Sequence, residues 1–115
     1  MDIDKLNTES EQNYIKVVNK RRQDAIKEMK KRIKKAAKEG KFSAIVFFIW
    51  SEDLKYLQDY FEKEGFYIRK YHFGLPNDNL EVSWGKGAEE DKYYDELQLK
   101  WMKEKEEEEE EEREK

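Results

Sequence analysis

One apolar run, "FSAIVFFIW" from Phe42 to Trp50, decides what this chain can fold into. It is nine residues long, too short to span a bilayer, and it sits in a sequence in which 45% of residues are charged. Composition alone leans towards disorder. Yet most of the aromatic residues fall between Phe42 and Trp84, so the apolar material is concentrated where a small core can form. The alternation places Phe42, Ala44, Val46, Phe48 and Trp50 on one face of a strand and Ile45, Phe47 and Ile49 on the other. Both faces are apolar, which predicts an internal strand covered on both sides.

Upstream, no proline or glycine occurs between Thr8 and Gly40. Thr8-Glu9-Ser10-Glu11 matches a capping box, and Ile15, Val18, Ile26, Met29, Ile33 and Ala36 recur at helical spacing with Arg22 interrupting them. The spacing predicts a long helix over 8–39, with Gly40 at its C-terminal cap. At 1.5 Å per residue it is about 45 Å long, more than the rest of the chain can cover. Its first half must overhang, pack on another chain, or break near Lys20-Arg21-Arg22; residues 14–26 are the expected surface of any homo-oligomer.

Downstream, Ser51 is placed to cap a short helix with Glu52 and Asp53 in its first turn and Leu54, Leu57 and Phe61 as its buried stripe. "FYIRKYHF" and "LEVSWG" flank the turn-rich "GLPNDN" and predict an antiparallel hairpin. A last helix is expected from near Glu89, with Tyr93 or Tyr94, Leu97 and Trp101 packed inward. The expected fold is a small α+β domain of order α-β-α-β-β-α. Its three-stranded sheet is mixed, because a strand–helix–strand crossover makes the first two strands parallel. Residues 1–7 are expected to be a flexible N-terminus, 8–102 a single domain and 103–115 an acidic low-complexity tail. The order of the strands stays open, since the third can insert between the first two.

This layout resembles a recurrent type of small uncharacterised phage-encoded protein: a Lys- and Glu-rich helix, "GKFSAIVFFIW", a short helix ending "EKEGF", and a hairpin closing in "LEVSWG". The likeness covers about residues 30–85 and is one of layout and composition. It implies an accessory role in infection, such as modulating a host or defence protein or handling nucleic acid, and transfers no functional residue.

Chemistry is sparse. There is no cysteine and one histidine, so thiol catalysis and zinc–thiolate sites are ruled out. His72 lies where Asp78 or Glu81 is near across the hairpin, an arrangement a general base would use, but a plain strand histidine explains it as well. The acids show no spacing that selects a magnesium site. Gly85-Lys86-Gly87 lacks the spacing and the Ser or Thr of a phosphate loop and reads as a flexible joint. No catalytic residue, metal site or cofactor is expected. The acidic, polar N-terminus differs from a secretory signal, and a cytoplasmic setting without membrane insertion is expected.

Charge carries the positive signal. Residues 16–41 hold twelve Lys or Arg and three acids. Lys20, Arg21, Arg22, Lys27, Lys30, Lys31, Lys34, Lys35 and Lys38 surround the apolar stripe and form the candidate surface for nucleic acid or another anionic partner. Seven consecutive glutamates, 106–112, repel one another and are expected to be extended or only partly helical; they compete with nucleic acid for a basic surface or simply keep the chain in solution. Tyr67, Arg69, Tyr71 and Phe73 alternate on one strand face and would stack bases if that face were open. Three readings follow: a non-enzymatic macromolecule-binding protein that engages a protein partner, a nucleic-acid binder restrained by its tail, or an assembly subunit.

Overall fold

The computed structural model describes residues 1–72 and 77–114, and for Phe47, Phe48, His72 and Asn77 it describes the backbone alone. The order is α1 (Ile3–Lys38), β1 (Ser43–Trp50), α2 (Ser51–Lys63), β2 (Tyr67–His72), β3 (Asn77–Ser83) and α3 (Gly85–Glu114). The α+β class and the element order are as the sequence predicts.

Helix α1 runs unbroken for 36 residues, about 54 Å at 1.5 Å per residue. It starts earlier than expected: the Asp2 carboxylate accepts from the Asp4 and Lys5 amides, so Ile3–Asn7 are helical. Thr8 lies inside the helix and donates its hydroxyl to the Asp4 carbonyl. Buried contacts begin only at Val18, so the first turns overhang. At the other end Gly40, with φ +77°, takes the left-handed conformation that ends a helix. The Lys41 amide reaches back to the Ala36 carbonyl and the Gly40 amide to Ala37, a Schellman closure that turns the chain straight into β1.

The sheet departs from expectation. Among the described residues its strand order is β1-β3-β2, and both pairings are antiparallel. β1 and β2 are therefore parallel to each other, but β3 lies between them and the sheet is not mixed. The returning hairpin strand can bond on both sides, whereas a parallel β1–β2 pair would have left it at an edge. Double pairing also lengthens β3 into residues expected in the turn: Asp78 pairs with both neighbours, Asn77 with Trp50 of β1 and Asn79 with Tyr71 of β2. β1 is consequently an edge strand, not an internal one. Its ladder slips between Val46 and Ile49, and such a bulge reverses the alternation. Val46 and Ile49, assigned to opposite faces, are both buried in the same core, while Ile45 and Trp50 stay exposed.

That core joins Ile26 and Met29 of α1, Val46 and Ile49 of β1, Leu57 and Phe61 of α2, and Leu80 and Val82 of β3. Met29, Leu57, Phe61 and Leu80 are 0% exposed. Helices α1 and α2 thus cover one face of the sheet. Side chains alternate along a strand, so Glu81, Tyr67 and Arg69 point to the other face, where α3 lies. α3 begins at Gly85 and buries no residue. Trp101 and one of Tyr93 and Tyr94 are expected to pack inward, but all three are 61% exposed. The helix is held by carboxylates instead. Asp95 accepts from Arg69 Nε at 3.1 Å, from Arg69 Nη2 at 2.9 Å and from the Tyr67 hydroxyl at 2.6 Å. Asp91 lies 3.3 Å from Arg69 Nη1. Gly85-Lys86-Gly87 is no flexible joint: it forms the first turn of α3, and Gly87 sits against the backbone of Phe42.

Candidate anionic-partner interface

The nine basic residues of α1 named above separate into two groups once the helix is laid on the sheet. At 100° per residue, Val18, Ile26, Met29, Ile33 and Ala36 mark the inward face. Lys20, Lys27, Lys31, Lys34 and Lys38 fall within a narrow stripe on the opposite side. All five are exposed, and among the described residues none takes part in an ion pair. From Lys20 to Lys38 the stripe is about 27 Å long, with its last four lysines about 4.5–6 Å apart along the axis. Lys30 and Lys35 flank it. Lys30 leans towards α2, its Nζ 5.2 Å from the Tyr60 ring centroid, and its contact with Tyr60 raises its pKa above the ordinary lysine range.

Arg21 and Arg22 do not belong to this surface. Both turn inward to Asp53, which is 2% exposed at the start of α2. Arg21 Nε donates to Asp53 Oδ2 and Nη2 to Oδ1, while Arg22 Nε donates to Oδ1 at 3.0 Å. Arg21 also pairs with Glu52, which accepts from the Tyr14 hydroxyl. Burial pushes the Asp53 carboxyl up, but hydrogen bonds and charge from the two guanidinium groups outweigh it and hold the group below the usual range. This is a structural clamp. Its members come from α1 positions 14, 21 and 22, so much of the 14–26 surface faces the chain's own α2. Val18 and Ile26 are buried and Ala25 packs on the core, leaving Ile15 and Val17 exposed.

The residue types carry a signal that residue counts conceal. All three arginines of α1 bond to their own chain, since Arg32 pairs with Glu28 and donates to the Ile45 carbonyl. A planar guanidinium suits fixed, bidentate partners, whereas a lysine ammonium acts as a hydrated point charge. The outward stripe is all lysine.

Of the stacking candidates on the second strand, Tyr71 is half-buried beside Arg69. Tyr67 and Arg69 are engaged by α3, and Phe73 lies outside the described residues. The side chain of His72 is likewise outside them; its backbone pairs with Asp78. Among the described residues no three His, Asp or Glu gather where they could hold a metal ion, and no helix is long and apolar enough to cross a membrane. The glutamates of 104–114 are helical and exposed, and among the described residues no ion pair joins them to α1. The basic and acidic segments are held apart by the sheet between α1 and the docking turns of α3. No family model, curated protein or solved structure matches the chain.

Proposed function

We propose that this chain is a non-enzymatic binding protein that takes an anionic macromolecule on the lysine face of α1, and that nucleic acid is the partner this face fits best. The stripe of Lys20, Lys27, Lys31, Lys34 and Lys38, exposed and without ion pairs among the described residues, carries the reading. Lysines about 4.5–6 Å apart from Lys27 to Lys38 match a dense phosphate backbone and need no fixed geometry from it. Burial on the opposite side of the same helix holds the stripe in place. The setting proposed from the resemblance of layout to small phage-encoded proteins is an accessory role in infection, where competition for a host or defence protein's nucleic acid would be one use of such a face.

The test is a titration of labelled single- and double-stranded oligonucleotides at several salt concentrations. Five phosphate contacts on a duplex give a log–log salt slope of about −4.5. Reversal of Lys27, Lys31 and Lys34 to Glu should remove about three of those contacts and flatten the slope accordingly. Absence of binding at low salt, or an unchanged slope in the triple variant, would overturn the proposal.

A further inference from the structure

The outer edge of β1 carries a second feature. Paired residues in an antiparallel ladder alternate between those bonded to the neighbouring strand and those directed away from it. The Trp84 amide donates to the Phe42 carbonyl at 3.1 Å, which sets the phase. Ala44 and Val46, in phase with Phe42, face β3. Ser43 and Ile45 turn their amides and carbonyls to the outer side, where the sheet has no further strand among the described residues. One of these groups, the Ile45 carbonyl, accepts a long bond of 3.4 Å from Arg32 Nη1.

Beside this edge runs an open cleft of about 770 Å³, between the last turns of α1 and Ser43–Ile45. Four cations line it, Lys31, Arg32, Lys35 and Lys41, with two carboxylates, Glu28 and Glu39. Both carboxylates are already neutralised, Glu28 by Arg32 and Glu39 by Lys41. Lys31 and Lys35 are the surplus charge. The apolar lining comes from Ala36, Ala44 and Ile45, and Ile45 is 37% exposed.

We infer that this edge accepts a short, extended, acidic peptide segment of a partner protein as an added strand. Strand addition takes its affinity from main-chain bonds and its selectivity from alternate side chains. The outward groups of Ser43 and Ile45 supply the bonds. Carboxylates at alternate peptide positions reach Lys31 and Lys35, and the intervening apolar side chains lie along Ile45. The slip between Val46 and Ile49 ends regular pairing, so the recognised segment is only three or four residues long. A second copy of β1 does not suit the edge, because it would bring two sets of Lys31 and Lys35 together. Nucleic acid lacks the alternating amides and carbonyls that the edge presents. The site shares Lys31 with the lysine stripe but does not rest on nucleic-acid binding.

The decisive experiment titrates the ¹⁵N-labelled full chain with a capped six-residue peptide alternating glutamate and valine, and reads amide shifts and amide hydrogen exchange. Slowed exchange is expected at Ser43 and Ile45, with little change at Ala44 and Val46, whose amides already face β3. The double variant Lys31→Glu/Lys35→Glu should weaken binding by about tenfold or more. A peptide of the same charge, N-methylated at alternate residues so that it cannot pair, should not slow those two amides. Shifts confined to α1 without protection at Ser43 and Ile45, or equal binding of the methylated peptide, would overturn the inference. Oligonucleotide binding is measured separately, so failure of either result leaves the other standing.

Discussion

Arg21 and Asp53 are joined by two parallel hydrogen bonds across the seam between α1 and α2, and Arg22 adds a third to the same carboxylate. Removing one partner of a buried ion pair costs more than the pair itself contributes, because the remaining charge is left without compensation. Asp53→Ala removes the shared carboxylate from two guanidinium groups, each about a quarter exposed, leaving Arg21 with Glu52 and Arg22 with the Glu52 carbonyl. Urea denaturation should show a loss of about 3 kcal/mol; a change below about 1 kcal/mol would mean that solvent already shields the cluster.

The inward arginines and outward lysines should separate by experiment. Arg22→Gln leaves Asp53 with Arg21 and should lower stability by about 1–2 kcal/mol, without altering the salt slope of oligonucleotide binding. Lys27→Glu should do the reverse, flattening the slope while leaving the urea midpoint nearly unchanged. If both variants moved the slope equally, the division of the nine cations would be wrong.

Attachment of α3 should depend on pH at both ends. The hydrogen bond to Asp95 pushes the Tyr67 phenol up to about 12, from an ordinary 10.0. A raised pKa favours the protonated form in the folded state, so this contribution is complete below pH 10 and disappears as pH rises to about 12. Asp95 behaves oppositely. Hydrogen bonds from Arg69 hold its carboxyl below 3.8 against the opposing effect of burial, so its contribution is present above that value and is lost as pH falls through the lowered one. An alkaline absorbance titration of the seven tyrosines should show late phenols at Tyr67 and at Tyr14, whose hydrogen bond to Glu52 also raises it. Asp95→Asn should return Tyr67 towards the rest.

Gly87 tests the start of α3. A Cβ there would lie 2.6 Å from the Phe42 carbonyl oxygen and 2.7 Å from the Phe42 Cβ, closer than packed atoms tolerate. Gly87→Ala gains helix propensity of about 1 kcal/mol but forces the β1 entry and α3 apart. A net loss of about 1–3 kcal/mol is expected from thermal or urea melting. Stabilisation would show that this turn moves freely.

Removal of residues 103–115 deletes nine acids and four bases and takes the formal net charge from −4 to +1. Residues 103–114 are exposed, so stability should stay within about 0.5 kcal/mol. Oligonucleotide affinity at low salt should rise, because long-range repulsion of phosphate falls. Unchanged affinity would show that the tail lies too far from α1 to be felt.

The elements were legible wherever local chemistry decides them. The apolar period of α1, Gly40 at its end and the stripe of α2 follow from spacing alone, and the core residues Ile26, Met29, Leu57, Phe61, Leu80 and Val82 stand where that spacing puts them. Strand order was not legible, because β3 gains its second partner only after β1 and β2 are placed. The bulge that brings Val46 and Ile49 to one face also depends on pairing. α3 misled for a different reason: its aromatics have helical spacing, but the charges on Asp91 and Asp95 find Arg69 first. Of the candidate site, the lysine stripe was visible and the Arg21–Arg22 clamp was not. The arginines amid so many lysines were the available clue.

The placement of α1 and the docked turns of α3 on opposite faces of the sheet makes the overall charge a poor guide to behaviour. At physiological salt the Debye length is about 8 Å, well below the 23 Å of the molecule's thinnest extent. Each side is then electrically hidden from the other, and an approaching surface meets either lysines or glutamates but not their average. A net-acidic chain of this kind should adhere to both cation- and anion-exchange resins at neutral pH, each holding it by a different face.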